Sequence, residues 1–299
     1  LRGVTPARPL AVACFVEEEG GRFGLPCMGS RLMTGAVDAD TVRRLHDSGG
    51  VSVADSARRA GLDPSAMGAD PARLASIGTF VELHVEQGRL LQTADATAVI
   101  GIGSEILAHG RWRLTVTGQG NHAGTTRPAD RVDPMLPAAA AVFAARQEMA
   151  RHDGAVATIG RINPIPGGTN VIASTVQLWL DVRHESALVT AGIVDGIVAA
   201  VRAEAVAEGC TVMVQRESMT DSVAFDAGLG LQLSELLAAP VIPTGAGHDA
   251  GVLAAHVPSA MLFVRNPSGV SHAPEEHAEL TDCLVGVDAL ADVLENLVR

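Results

Sequence analysis

The order of secondary-structure signals between Arg111 and Arg216 constrains the fold more than any other feature of this chain. Arg111–Thr117 reads as a strand. Asp133–Arg151 reads as a helix with Pro134 near its first turn, where a missing backbone N–H removes no helical bond. Ala155–Ile162 and Thr175–Arg183 follow as strands, Glu185–Glu208 as a helix and Thr211–Arg216 as a strand. This βαββαβ order is the split unit of a ferredoxin-like domain. At roughly a hundred residues it is large enough to hold a core of its own.

The flanks carry a different alternation. Leu10–Val16 is expected as a buried strand, Asp40–Asp47 and Val51–Ala60 as short helices, and Thr79–Val85 as a second strand. After the βαββαβ unit come a helix at Asp226–Ala239, a short helix at Asp249–Ala255, a strand at Ser259–Val264 and a helix at Asp282–Val298. Alternating strands and helices favour an α/β fold. The expected organisation is an α/β domain made of residues 1–110 and 217–299, interrupted by an inserted domain at 111–216.

Composition excludes several functions. The chain has 299 residues, 47% hydrophobic and 19% charged, which is enough to bury a sizeable core. Its net charge of −12 gives nucleic acid and anionic membranes nothing to hold, so neither is expected as a partner. No apolar run approaches the roughly 20 residues of a membrane span. Cys14, Cys27, Cys210 and Cys283 are scattered without a CxxC pair, which points to a cytoplasmic protein without a disulfide framework. Every basic residue is Arg. Without Lys there is no Schiff base for pyridoxal phosphate and no P-loop lysine.

Three segments carry candidate chemistry. In VEEEGGRFG, adjacent carboxylates follow an apolar run and precede glycines. One acid can hold a metal while the next serves as general base, although a Glu triplet is also a common solvated charge run. In FVELHVEQG, period-two alternation puts His84 on one face with Glu82 and Glu86, acids able to orient its second ring nitrogen. In PSGVSHAPEEHAE, His272 lies in a loop of small residues, and His277 is read as a local pair or part of a solvated acidic loop. Carboxylate and imidazole donors such as Glu19, His84 and His272 suit zinc, manganese or cobalt. The inserted domain adds His122, Asn170 and Arg183, donors able to polarise a carbonyl and clamp a carboxylate. Asn170 also fits a turn after Gly167 and Gly168, and Arg183 a pair with Asp181 or Glu185. TGAGHDA matches a dinucleotide fingerprint by letters, but Pro240 and Pro243 interrupt the strand such a site requires.

Taken together, EEGGRF, ELHVEQG, NHAGTT, GGTNVI, WLDVRH, GAGHDAG and GVSHAPEE resemble the bacterial N-carbamoyl-L-amino-acid and allantoate amidohydrolases. These belong to the superfamily of two-metal aminoacylases and carboxypeptidases. The resemblance implies an aminopeptidase-like catalytic domain with an inserted ferredoxin-like lid that pairs two copies into a homodimer. It implies a small-molecule ureide substrate and two divalent ions (Zn, Mn, Co or Ni). By the same resemblance Glu18 is the general base, and Glu19, His84 and His272 are metal ligands. His122 binds the oxyanion, and Gln87, Asn170, Arg183, Gly269 and Ser271 contact substrate. His248 and Asp249 fall at the site without a role. The family's early His and bridging Asp would precede the Leu10–Val16 segment, so the chain is expected to lack that part, to bind metal poorly and to turn over no ureide. An aminoacylase or dipeptidase, or a non-catalytic dimerising relative, are the alternative expectations.

Overall fold

The computed structural model describes residues 3–92 and 98–299, which fall into two compact units. The first comprises Leu1–Ile106 and Val223–Arg299, and the second Leu107–Ser222.

The first unit opens with four short helices, α1 (Met28–Thr34), α2 (Ala39–Arg43), α3 (Val53–Arg59) and α4 (Pro71–Ala75), then strands β1 (Phe80–Val85) and β2 (Ile100–Ile106). Asp38, Ser52 and Asp70 cap α2, α3 and α4 by accepting backbone N–H groups that a helix start leaves without partners. The second unit holds β3 (Ala108–Thr117), β4 (Asn121–His122), α5 (Met135–Arg151), β5 (Val156–Ile165), β6 (Val171–Ile172), β7 (Thr175–His184), α6 (Ala187–Ala207) and β8 (Thr211–Thr220). The chain then completes the first unit with β9 (Val223–Ala224), α7 (Ala227–Leu237), β10 (Val241–Thr244), α8 (Asp249–Leu253), β11 (Ser259–Val264) and α9 (Leu280–Val298).

The first unit is built on a mixed sheet in the order β1-β11-β2-β10, with β9 also pairing β2. β1 runs parallel to β11, and β2 antiparallel to it. Strand alternation divides the core into two layers. Val81, Leu83, Ala260, Leu262 and Val264 face α7 and α9, whereas Phe80, Met261 and Phe263 join Phe225, Ile242 and Ala250 on the α8 face. β11 is buried along its whole length, as a strand covered on both faces must be. Glu82 and His84 alternate with Val81 and Leu83, so they share the α8 face.

In the second unit the antiparallel sheet has the order β5-β7-β3-β8. α5 and α6 pack on it through Ala141, Ala145, Ile193, Ile197 and Val201, against Leu114, Leu178 and Leu180. Small residues on α5 let the two helices approach closely.

Three expectations need correction. Leu10–Val16 is not a strand: it has no ladder partner among the described residues, and Leu10, Val12 and Val16 are exposed. An apolar run becomes a strand only where a neighbour takes its backbone N–H and C=O groups. Here Val16 C=O accepts from Gly29 N–H, and Phe15 leans on Phe80 with ring centroids 6.1 Å apart. Second, β10 does form through Pro243, because the ladder shifts between Ile242 and Thr244 and asks no N–H of the proline. Third, β2 was missed because Gly101 and Gly103 weaken the strand signal. They are accommodated because a Cβ at Gly101 would lie 2.7 Å from Leu91 Cδ2, and one at Gly103 would lie 3.1 Å from Phe225 and Met261. No helix among the described residues is long and apolar enough to cross a membrane.

Candidate active site

The Glu triplet lies on a tight loop whose backbone separates the roles of its members. Glu17 adopts a left-handed φ of 57°, and its carboxylate accepts from the N–H groups of Arg22 at 3.1 Å and Phe23 at 3.0 Å. Gly20, with φ +67°, closes the turn against Pro26, where any Cβ would come within 2.6 Å of the Pro26 nitrogen. Glu17 therefore holds the loop, and Glu18 and Glu19 remain for chemistry.

Glu18 is half-buried. Its carboxyl is pushed up to about 7, first by burial and then by the charges of Glu19, Glu82 and Asp249, with His84 pulling the other way. A carboxyl in that range can both take and return a proton near neutral pH. Glu19 reaches outward and sits 3.3 Å from His272 Nε2.

His84 projects from β1. Its Nδ1 lies 2.7 Å from the carbonyl oxygen of Val85, so Nδ1 carries the proton and Nε2 keeps the lone pair a cation needs. The expected orienting role for Glu86 is thereby overturned. Glu86 is buried and its carboxylate accepts from Leu90 and Leu91 N–H, fixing the turn after β1. That turn carries Gln87, whose amide nitrogen is 3.4 Å from His272 Nε2.

His272 comes from the loop between β11 and α9. Buried Asn266 organises the start of this loop, accepting from Ser268 and Gly269 N–H and donating to Val270 C=O. Gly269 adopts a left-handed φ of +69°, and its Cα faces the Arg89 side chain, whose Cγ would lie 2.3 Å from an added Cβ. His272 itself is left-handed at φ 56°, held by its N–H donating to Glu276 at 2.8 Å while Ser271 donates to the same carboxylate. The Ser271 hydroxyl thus also ties the loop, and Glu276 is a positioning residue the motif reading passed over. His277 makes the local pair, 3.2 Å from Glu279.

The second group at this site was not assigned from sequence. His248 precedes α8, is 2% exposed, and neither ring nitrogen has a hydrogen-bond partner among the described residues. Its Nδ1 lies 3.7 Å from both Glu18 and Glu82, and its ring meets His84 edge-on at 4.6 Å. Burial, then His84, holds the imidazole down to about 3, so it is neutral. Glu82 is pushed up by burial, partly offset by the Ala250 N–H bond at 2.8 Å. Asp249 is buried and receives the Ser30 hydroxyl from α1. An acid at the start of a five-residue helix also disposes of TGAGHDA as a phosphate cradle.

In the second unit, β4 and β6 pair so that His122 lies opposite Val171, and Ala123 N–H donates to Asn170 C=O. His122 Nδ1 accepts from Gly124 N–H at 3.1 Å, which puts the ring proton on Nε2 of an exposed side chain. Arg131 staples the same loop by donating to Ala123 and Thr126 carbonyls. Arg183 donates to Asp181 at 2.7 Å, and Arg111 donates to the same carboxylate. Asn170 sits at the turn leading into β6.

The chain matches peptidase family M20/M25/M40 over residues 2–296. It is 34% identical to an N-carbamoyl-L-amino acid amidohydrolase of Geobacillus stearothermophilus, over 99% of this chain and 73% of that protein. It is 31% identical to an allantoate amidohydrolase of Bacillus subtilis (strain 168), over 98% and 71%. A hydantoinase/carbamoylase family amidase from Burkholderia ambifaria superposes with a TM-score of 0.81 at 26% identity, covering 95% of this chain and 68% of the other.

Proposed function

Because this chain belongs to peptidase family M20/M25/M40, we propose that it is a metal-dependent amidohydrolase cleaving the ureido C–N bond of N-carbamoyl-L-amino acids or allantoate. One observation carries the reading: a half-buried Glu18 poised at about 7 stands beside the Glu19–His272 pair and His84, on the face of β1 that carries Glu82 and His84.

The donors fit a divalent cation. They are carboxylates and imidazoles, and the buried His248 has two nitrogens without partners among the described residues. Glu19 and His272 would hold one ion and His84 contribute to a second. A bound divalent ion supplies Lewis acidity and makes water acidic near neutral pH. Glu18 takes the proton of the attacking water and returns it to the leaving nitrogen. Water adds to the ureido carbon, the C–N bond breaks and ammonia leaves; the resulting carbamate then loses carbon dioxide. In the second unit, His122 carries its ring proton on Nε2 and so offers the donor that the resemblance assigns to the oxyanion. The resemblance assigns Arg183 to the substrate carboxylate, and Gln87, Asn170, Gly269 and Ser271 to substrate contacts. Exposed Leu136 and Phe143 on α5 and Leu188 on α6 support pairing of two copies through the second unit.

The test is ammonia release from N-carbamoyl amino acids and allantoate in zinc or manganese, compared with Glu18→Gln. The variant should lose about 10²–10⁴ in kcat, the usual worth of general acid–base catalysis. Sustained ammonia release would overturn the expectation of no turnover; its absence from every ureide, or unchanged turnover in the variant, overturns the reading. Release of amino acid from N-acyl substrates alone would place the chain with the aminoacylases.

A further inference from the structure

We propose that Glu18, Glu82 and His248 form a binding position for one divalent transition-metal cation, separate from the donors Glu19, His84 and His272. The three side chains arrive from different parts of the fold: the loop after Val16, the middle of β1, and the residue before α8. Each offers one donor atom, and these atoms lie within 4.8 Å of one another.

The carboxylates alone would be an ordinary acidic cluster. The imidazole changes that. His248 has 2% of its surface exposed, its Nδ1 points at Glu18 and Glu82, and both distances of 3.7 Å are too long for a hydrogen bond. Neither ring nitrogen finds another partner among the described residues. A buried polar group without a partner calls for a ligand that completes it. Glu82 is held for the purpose: its Oε2 accepts from Ala250 N–H, which leaves Oε1 toward the imidazole. One nitrogen and two carboxylate oxygens match the three-ligand pattern of an open zinc-type site, in which donors roughly 2.0–2.1 Å from the ion leave a fourth position free. Closing the cluster to such bonds requires only small side-chain movements. The surrounding charge also favours a cation, because Glu19 and Asp249 flank the same space.

An ion at this position occupies the carboxylate that serves as base. This consequence rests on the proposed function, whereas ion binding does not. Excess cation should therefore inhibit hydrolysis.

The experiment uses the full chain, freed of metal by a chelator and dialysed against Zn²⁺ or Co²⁺. Stoichiometry is measured by elemental analysis, and visible absorption reports the cobalt ligand field. Glu82→Gln and His248→Ala should each weaken one ion by at least 10-fold while far-UV circular dichroism is unchanged. The Glu19→Gln/His272→Ala double variant should retain that ion. Parent-like binding in both single variants, or no ion bound by the parent chain, overturns the proposal. Should a variant fail to fold, zinc X-ray absorption of the parent chain with the Glu19 and His272 ligands removed decides. One imidazole per ion supports the site, and two or more overturn it. If binding maps as stated but excess zinc leaves turnover unchanged, the cation position stands and Glu18 loses its assignment as base.

Discussion

Removing the Ser30 hydroxyl should be costly for a change of one atom. Ser30 is fully buried on α1, and its Oγ donates to the Asp249 carboxylate at the start of α8. Asp249 is itself only 6% exposed. In Ser30→Ala the void is small, so the transfer and cavity contributions stay minor. The dominant loss is a hydrogen bond to a buried charged acceptor, worth about 1.5–3 kcal/mol. A first unit of this size has a midpoint that moves roughly 2–4 °C per kcal/mol, so a drop of about 3–12 °C is expected. Urea unfolding followed by far-UV circular dichroism measures the free energy, and calorimetry the midpoint. Asp249→Asn supplies the control, since a neutral side chain in the same place needs the donor less. The Ser30→Ala/Asp249→Asn pair should therefore show coupling of about 1 kcal/mol or more in a double-mutant cycle. A loss below about 0.5 kcal/mol in Ser30→Ala, with no coupling, would refute the idea that this bond ties α1 to α8.

Gly251→Ala should destabilise the first unit by about 1–3 kcal/mol in the same urea assay, because the new Cβ would fall 2.2 Å from Ile106 Cδ1 in a packed core. Asp181→Asn should destabilise the second unit near neutral pH by about 1–2 kcal/mol. Burial raises the Asp181 carboxyl, but the bonds from Arg183 and Arg111 outweigh it and hold the group below its ordinary 3.8. That contribution is complete above the unfolded value and disappears as pH falls through the folded one, so parent and variant should converge in acid unfolding. Arg183→Lys should lower kcat/KM by an amount equivalent to about 2–5 kcal/mol, because a point charge replaces a planar fork at the substrate carboxylate. An unchanged KM and kcat would show that Arg183 has a structural role alone.

Local periodicity made much of this protein legible. The helices α5, α6, α7 and α9 and the strands β3, β5, β7, β8 and β11 follow from spacing that each segment carries by itself. The alternation in FVELHV likewise placed Glu82 and His84 on one face before any neighbour was known. What sequence could not decide depends on partners remote in the chain. Leu10–Val16 has the composition of a strand but no ladder to join, whereas the glycine-broken β2 becomes central because β11, β9 and β10 supply its bonds and Leu91 and Phe225 fill its gaps. The three glutamates of the triplet are identical as letters. Only the loop's left-handed turn turns Glu17 inward to hold backbone N–H groups, buries Glu18, and leaves Glu19 beside His272. His248 acquired its neighbours in the same way, when α8 packed on the face of β1. Hydrophobic period is a property of a segment, but a carboxyl's proton affinity and an imidazole's unmet valence are properties of its surroundings, which exist only after folding.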